Sequence, residues 1–199
     1  MPKAGKVKKG YAISIENVAP FLWYRVGISD KSELGVRVGL PIYGSGVDYS
    51  RVLYKKKNKW DMLNLAWSLN PNYNLDATYY KFKTKKTDAD FLKSRWLGFR
   101  MMSIQKGITG GTSNRFGFLY GIQSSPRWGM EFGYFHDSSS IPITDIFSSN
   151  WDPFSRENYD RYSKKPIRDE SSGLPSEFSR MTGLSFSLFF DLDAPKKKK

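Results

Sequence analysis

The sequence predicts an all-β chain closed into an antiparallel, up-and-down transmembrane β-barrel of about ten strands (roughly 8–12). Three observations carry that expectation. Apolar residues alternate with small or polar ones at period two along most of the chain. The face opposite the apolar one is glycine, serine and single arginines or acids, with few lysines. Connections are also short on one side of the strand series and longer on the other.

The composition bounds the answer first. At 199 residues the chain is one domain by size. It has no cysteine and one histidine, His136, which excludes disulfides, thiolate chemistry and a multi-histidine metal site within the chain. Aromatics at 16% with 17 glycines favour strands over helices. No apolar stretch approaches the roughly 18 residues of a membrane-spanning helix. The opening "MPKAGKVKKGYAIS" carries charge without an apolar core of roughly 7–15 residues, so a secretion signal is expected to have been removed or truncated.

The strands read in order. Tyr11–Glu16 is a weak alternation. In "LWYRVGI", Leu22, Tyr24, Val26 and Ile28 oppose Trp23, Arg25 and Gly27; in "ELGVRVGL", Leu34, Val36, Val38 and Leu40 oppose Gly35, Arg37 and Gly39. Weaker alternations follow at Val47–Tyr54, Trp60–Leu69, Tyr73–Phe82 and Leu92–Ile104. In "RFGFLYGI", Phe116, Phe118, Tyr120 and Ile122 oppose Arg115, Gly117, Leu119 and Gly121. In "WGMEFGYFH", Trp128, Met130, Phe132 and Tyr134 oppose Gly129, Glu131, Gly133 and Phe135. The last strand, "GLSFSLFFDL", sets Leu184, Phe186, Leu188, Phe190 and Leu192 against Gly183, Ser185, Ser187, Phe189 and Asp191. Glycine saves space, which a solvated surface does not need and a crowded barrel interior does. The apolar face is therefore expected to point outward to lipid. Arg51 falls on that outward face, and mid-bilayer it would cost about 2–4 kcal/mol.

Connections Ser29–Ser32, Lys55–Lys59, Lys83–Asp90 and Ser124–Pro126 are short. Those at Pro41–Gly46, Gln105–Thr112 and above all Asp137–Ser179 are longer, with Asn70–Asn72 an exception. The expected organisation is a basic tail over 1–10, a barrel over 11–192 with a long extracellular loop over 137–179, and a basic tail over 193–199. That loop carries eight acids and five bases, a net −3 against +16 for the rest of the chain. A loop of this length is commonly functional.

"YRVGISDKSELGVRVGLPIYGSGVDYS" resembles the strand–turn–strand pattern of small bacterial outer-membrane barrel proteins, and "GLSFSLFFDL" is similar to their closing strand, although Asp193 to Lys199 follow it. The resemblance implies an outer-membrane location, membrane lipid and lipopolysaccharide as surroundings, and engagement of the barrel-assembly machinery through Gly183–Leu192. A monomer is expected, with no cofactor, metal or nucleic-acid partner.

The candidate site is the barrel interior. Inward charges are expected at Arg25, Arg37, Asp48, Asp61, Asp76, Arg100, Arg115, Glu131 and Asp191. In so narrow a barrel they read as an ion-pair network, with Arg25, Arg37, Asp48, Arg100, Arg115 and Glu131 at its centre. The expected function is non-enzymatic: structural or a narrow conduit, with the long loop as a contact surface. One alternative rests on His136 and Ser138, whose His-x-Ser spacing resembles outer-membrane lipid A deacylases, where such a pair supplies base and nucleophile; Ser139 stands where that family has asparagine. The other is a soluble basic β-barrel that binds nucleic acid, suggested by the net charge of +13.

Overall fold

The computed structural model describes residues 4–14, 20–39, 45–70, 73–86, 92–106, 113–137 and 184–193. Glu16, Leu40, Gly183, the segment 138–179 and the tail 194–199 lie outside them. Ten strands form one antiparallel sheet: β1 Val7–Ser14, β2 Phe21–Ser29, β3 Ser32–Gly39, β4 Ser45–Lys56, β5 Lys59–Asn70, β6 Tyr73–Lys86, β7 Leu92–Lys106, β8 Ser113–Gln123, β9 Trp128–Asp137 and β10 Leu184–Asp191. Each strand pairs with its neighbour in sequence, and β10 pairs with β1 to close the barrel. Closure leaves no strand edge unpaired.

The expected alternation holds strand by strand, because successive side chains of a strand point to opposite sides of the sheet. β2, for example, exposes Leu22, Tyr24, Val26 and Ile28 while Trp23, Arg25 and Gly27 turn inward. β1 differs at its start. It begins at Val7 rather than Tyr11, since Lys8 reaches Asp191 of β10 (3.7 Å) and Gly10 lies against the Trp23 indole. The connections β2–β3, β4–β5, β6–β7 and β8–β9 lie at one end, here the turn end. The tight turn at Lys57–Asn58 holds Lys57 in the left-handed region (φ 45°).

Two outward residues follow from pairing. Arg51 faces outward between Ser32, the first residue of β3, and Leu63 of β5, level with the turn end of the β2–β3 pair but five residues short of the end of β4. Asp61 faces outward, contrary to the inward position expected for it. Trp60, Met62, Asn64 and Ala66 hold the inward phase of β5, and Asp61 instead accepts a hydrogen bond from the outward Tyr79 hydroxyl (2.8 Å).

The interior packs large residues against glycines of the adjacent strand. Met62, Tyr80, Trp96, Leu119 and Phe135 form a buried cluster, backed by Trp60, Phe82 and Phe189. Trp60 and Phe82 stack at 3.9 Å. Gly121 of β8 lies between Trp96 of β7 and Glu131 of β9 in register, and over it the Trp96 indole N–H donates to Glu131 Oε2 (2.6 Å). Strands two apart are about 9–10 Å apart in the sheet, so side chains meet across the intervening strand only where that strand presents nothing. A Cβ at Gly121 would overlap the Trp96 ring. Gly121→Ala is therefore expected to lower stability by about 1–3 kcal/mol through overpacking. Thermal unfolding in detergent micelles measures it. Tyr120→Ala, on the exposed face of the same strand, should shift the midpoint much less.

Candidate functional site: the charged lumen

Apart from Phe21 and Trp23 of β2, the inward phase of β1–β4 is built from small residues and charges, whereas most of the inward rings stand on β5–β9. A cavity of about 440 Å³ remains between these unequal halves. Ala12, Ser14, Ser185 and Ser187 give it a low wall. Arg25, Glu33, Arg37, Asp48, Arg100 and Glu131 supply its charge, and Trp60, Phe82 and Trp96 floor its turn end.

The charges fall into two groups. Arg25 of β2 sits between Glu33 of β3 and Asp48 of β4, with Nη1 to Glu33 Oε1 at 2.5 Å and Nη2 to Asp48 Oδ2 at 3.1 Å. Both carboxylates are only 4% exposed at the side chain. Asn64 of β5 donates from Nδ2 to Asp48 Oδ2 and to Ser50 Oγ, each at 2.9 Å, extending the group over four strands. The Arg25–Asp48 contact also passes over a glycine, Gly35, whose added Cβ would overlap the Asp48 carboxylate. On the far wall, Arg100 of β7 donates to Thr78 Oγ1 (2.9 Å) and to the Tyr80 hydroxyl (3.1 Å). It approaches Glu131 Oε1 at 3.8 Å and lies 5.6 Å from the Phe135 ring centroid.

Five of the six residues expected at the centre of the network thus line one cavity. Arg115 does not. It is buried nearer the other end of β8, opposite Asp137 of β9 in register. Arg37 lines the cavity without a carboxylate partner among the described residues; its Nη2 donates to Ser68 Oγ (3.1 Å). Asp76 accepts from Asn74 Nδ2 (2.8 Å), and Asp191 pairs with Lys8. Sequence reasoning missed Glu33, which holds Arg25 most closely. The signal was present, since Glu33 shares the phase of Gly35 and Arg37, but it stands at the strand's first turn. Trp96, Tyr80 and Thr78 were missed because their strand carried a weaker alternation.

His136 is 3% exposed and packs against Phe116, with ring centroids 5.5 Å apart. Its proposed partner Ser138 lies outside the described residues. Among the described residues no cluster of three metal-ligating side chains occurs. No family model, no curated protein and no solved structure matches the chain.

The two arginines separate experimentally. Arg25→Ala removes the cation that contacts the buried carboxylates of Glu33 and Asp48, and breaking such a group costs about 3–5 kcal/mol. Arg37→Ala removes one hydrogen bond, worth about 0.5–1.5 kcal/mol or somewhat more for a charged donor. Chemical denaturation in micelles should rank Arg25→Ala well below Arg37→Ala in stability. Equal losses would contradict this assignment of partners.

Proposed function

We propose that the chain is a bacterial outer-membrane protein whose barrel spans the bilayer. Its role on this reading is structural or that of a narrow, closed conduit, with the segment 137–179 outside the cell as contact surface. One observation carries it: the outer wall is apolar all the way round. Nine strands expose large apolar side chains on it, among them Ile13, Leu22, Val36, Val47, Leu65, Leu75, Leu97, Phe118 and Phe132. β10 adds the half-buried Phe186, Leu188 and Phe190. A soluble monomer rarely exposes a contiguous apolar patch beyond a few hundred Å². A polar or crowded interior inside an apolar outer band is instead the pattern of membrane barrels.

The parity of the connections supports the orientation, with the turn end periplasmic and both termini of the barrel there. The lumen supports a closed state over an open pore. Ten strands leave little space beyond their own side chains, and here the charges face one another or polar neighbours.

The protein is expected to be insoluble without detergent and to refold in micelles as a heat-modifiable β-barrel; a folded, monodisperse monomer in plain buffer would overturn the membrane reading. In planar bilayers the unmodified protein is expected to conduct poorly, and large open channels would turn the luminal arginines into selectivity residues. Single cysteines introduced by Asn58→Cys and Tyr159→Cys test orientation with an impermeant thiol reagent on intact cells. Labelling at position 159 alone is expected, and labelling at 58 alone inverts the model.

A further inference from the structure

Cations stand directly opposite cations on the outer wall of β4–β7. Lys56 faces Lys59, Lys59 faces Lys83, and Lys83 faces Arg95, so one row of four runs across four strands. Lys85 and Lys93 face each other one step nearer the turn end, and Lys81 stands one step the other way. All seven are exposed. Among the described residues none of the seven is in an ion pair. Among the described residues the one acid on this wall is Asp61, which stands opposite Lys81 in register and accepts from the Tyr79 hydroxyl.

Like charges directly opposite on one sheet face repel, and among the described residues only Asp61 offsets them, so the wall favours an added countercharge. The position of the wall says what supplies it. On β5, β6 and β7 the outward residues beyond these and Asp61 toward the loop end are apolar, Leu63, Leu65, Tyr79, Leu97 and Phe99, while β4 carries Arg51 opposite Leu63. Among the described residues the turn end is more apolar elsewhere: β2 carries Val26 and Ile28 and β9 begins with the outward Trp128, with an exposed Lys9 on β1. The cations thus border the apolar band at its turn end, which on the membrane-spanning reading is the level of a bilayer's phosphates.

We propose that this one-sided basic wall binds the headgroups of anionic phospholipid in the leaflet at the turn end. The inference rests on the membrane-spanning reading above. Lysine stems lie along apolar surface while the ammonium reaches the phosphate, and each such cation near an anionic surface adds to the attraction. An acidic protein would instead have to approach a wall flanked by lipid.

Tryptophan quenching by brominated lipid tests it. Leu97→Trp, opposite Lys81 in register, places a reporter beside the wall, with Trp67→Phe and Trp128→Phe removing the outward tryptophans that lie toward the loop end and on β9. The whole chain is reconstituted in phosphatidylcholine vesicles containing a minor fraction of brominated phosphatidylglycerol or of brominated phosphatidylcholine. At low ionic strength the anionic lipid is expected to be preferred about threefold or more. The preference should shrink in high salt, which shortens the screening length. It should fall close to one in the variant Lys59→Gln, Lys83→Gln, Arg95→Gln. That variant is expected to fold, because it relieves repulsion, and its unfolding temperature in zwitterionic detergent should be no lower than the unmodified protein's. A variant neutralised at Lys196 to Lys199 should keep the preference. Equal quenching by both lipids, or a preference unchanged in the triple variant, overturns the basic-wall inference and leaves the wall to an acidic protein partner. Quenching by neither lipid overturns the membrane reading and this inference with it.

Discussion

The absence of a side chain at a few inward positions decides what the rest of the interior can do. Arg25 reaches Asp48 over Gly35, the Trp96 indole reaches Glu131 over Gly121, and the Arg100 guanidinium approaches Phe135 over Gly117. Each contact joins strands that are not neighbours, a separation a side chain can bridge only when the strand between offers bare backbone. An added Cβ at Gly35 or Gly121 would collide with one partner of its contact, and one at Gly117 with the Phe135 ring and the backbone of β9. The glycines act as windows in the sheet. Through them a shell one residue thick acquires contacts that an ordinary strand pair cannot make.

The same economy explains why the lumen has two unlike halves. From β5 to β9 the residues beside the glycines are rings and leucine, and they meet in a packed cluster. From β10 through β4, apart from Phe21, Trp23 and Phe189, they are arginines and acids, with alanine and serine on β1 and β10. Rings fill space by packing, whereas guanidinium and carboxylate groups must also satisfy their charge. Space is left beside the charged half, and the cavity lies there. Buried pairs of this kind are poor sources of stability in themselves, because desolvation offsets most of their attraction. Their use is better sought in what they specify.

Much of this was legible in the sequence, for a physical reason. A strand's period of two is the shortest pattern a chain can carry, so runs such as "LWYRVGI" and "RFGFLYGI" declare both faces within seven or eight residues. Strand count, closure between the first and last strands, parity of the turns and the space-saving role of glycine all follow from it. Partnership does not follow, because it depends on which strands become second neighbours and on the stagger between them. Arg37 lacks the acid expected for it because its register partners are Trp23 and Gly46. Asp61 was placed inside because a short acid beside Trp60 gives no sign of phase where the alternation is weak. The level of Arg51, opposite the first residue of β3, needed the pairing of β3 with β4, which no single strand encodes. The pairing of His136 with Ser138 lies beyond the described residues.

Alternation and glycine windows constrain different errors. A slip of one residue between neighbouring strands would turn every side chain of the slipped strand to the opposite face. On the proposed reading Arg25 and Glu131 would then enter lipid, so the cost of the wrong face excludes that slip. A slip of two residues keeps every face correct and passes that test. The windows exclude it. Moving β3 by two against β2 in one direction sets Arg25 opposite Arg37 instead of Gly35, and moving β8 by two against β7 sets Trp96 against Leu119 or Gln123. In each case a large side chain meets another where bare backbone had been. The apolar outer wall thus selects which residues face inward, and the glycines select which inward residues meet. A register held in both ways needs charge only where charge closes a contact across a window, and Arg25 with Asp48 across Gly35 is such a place.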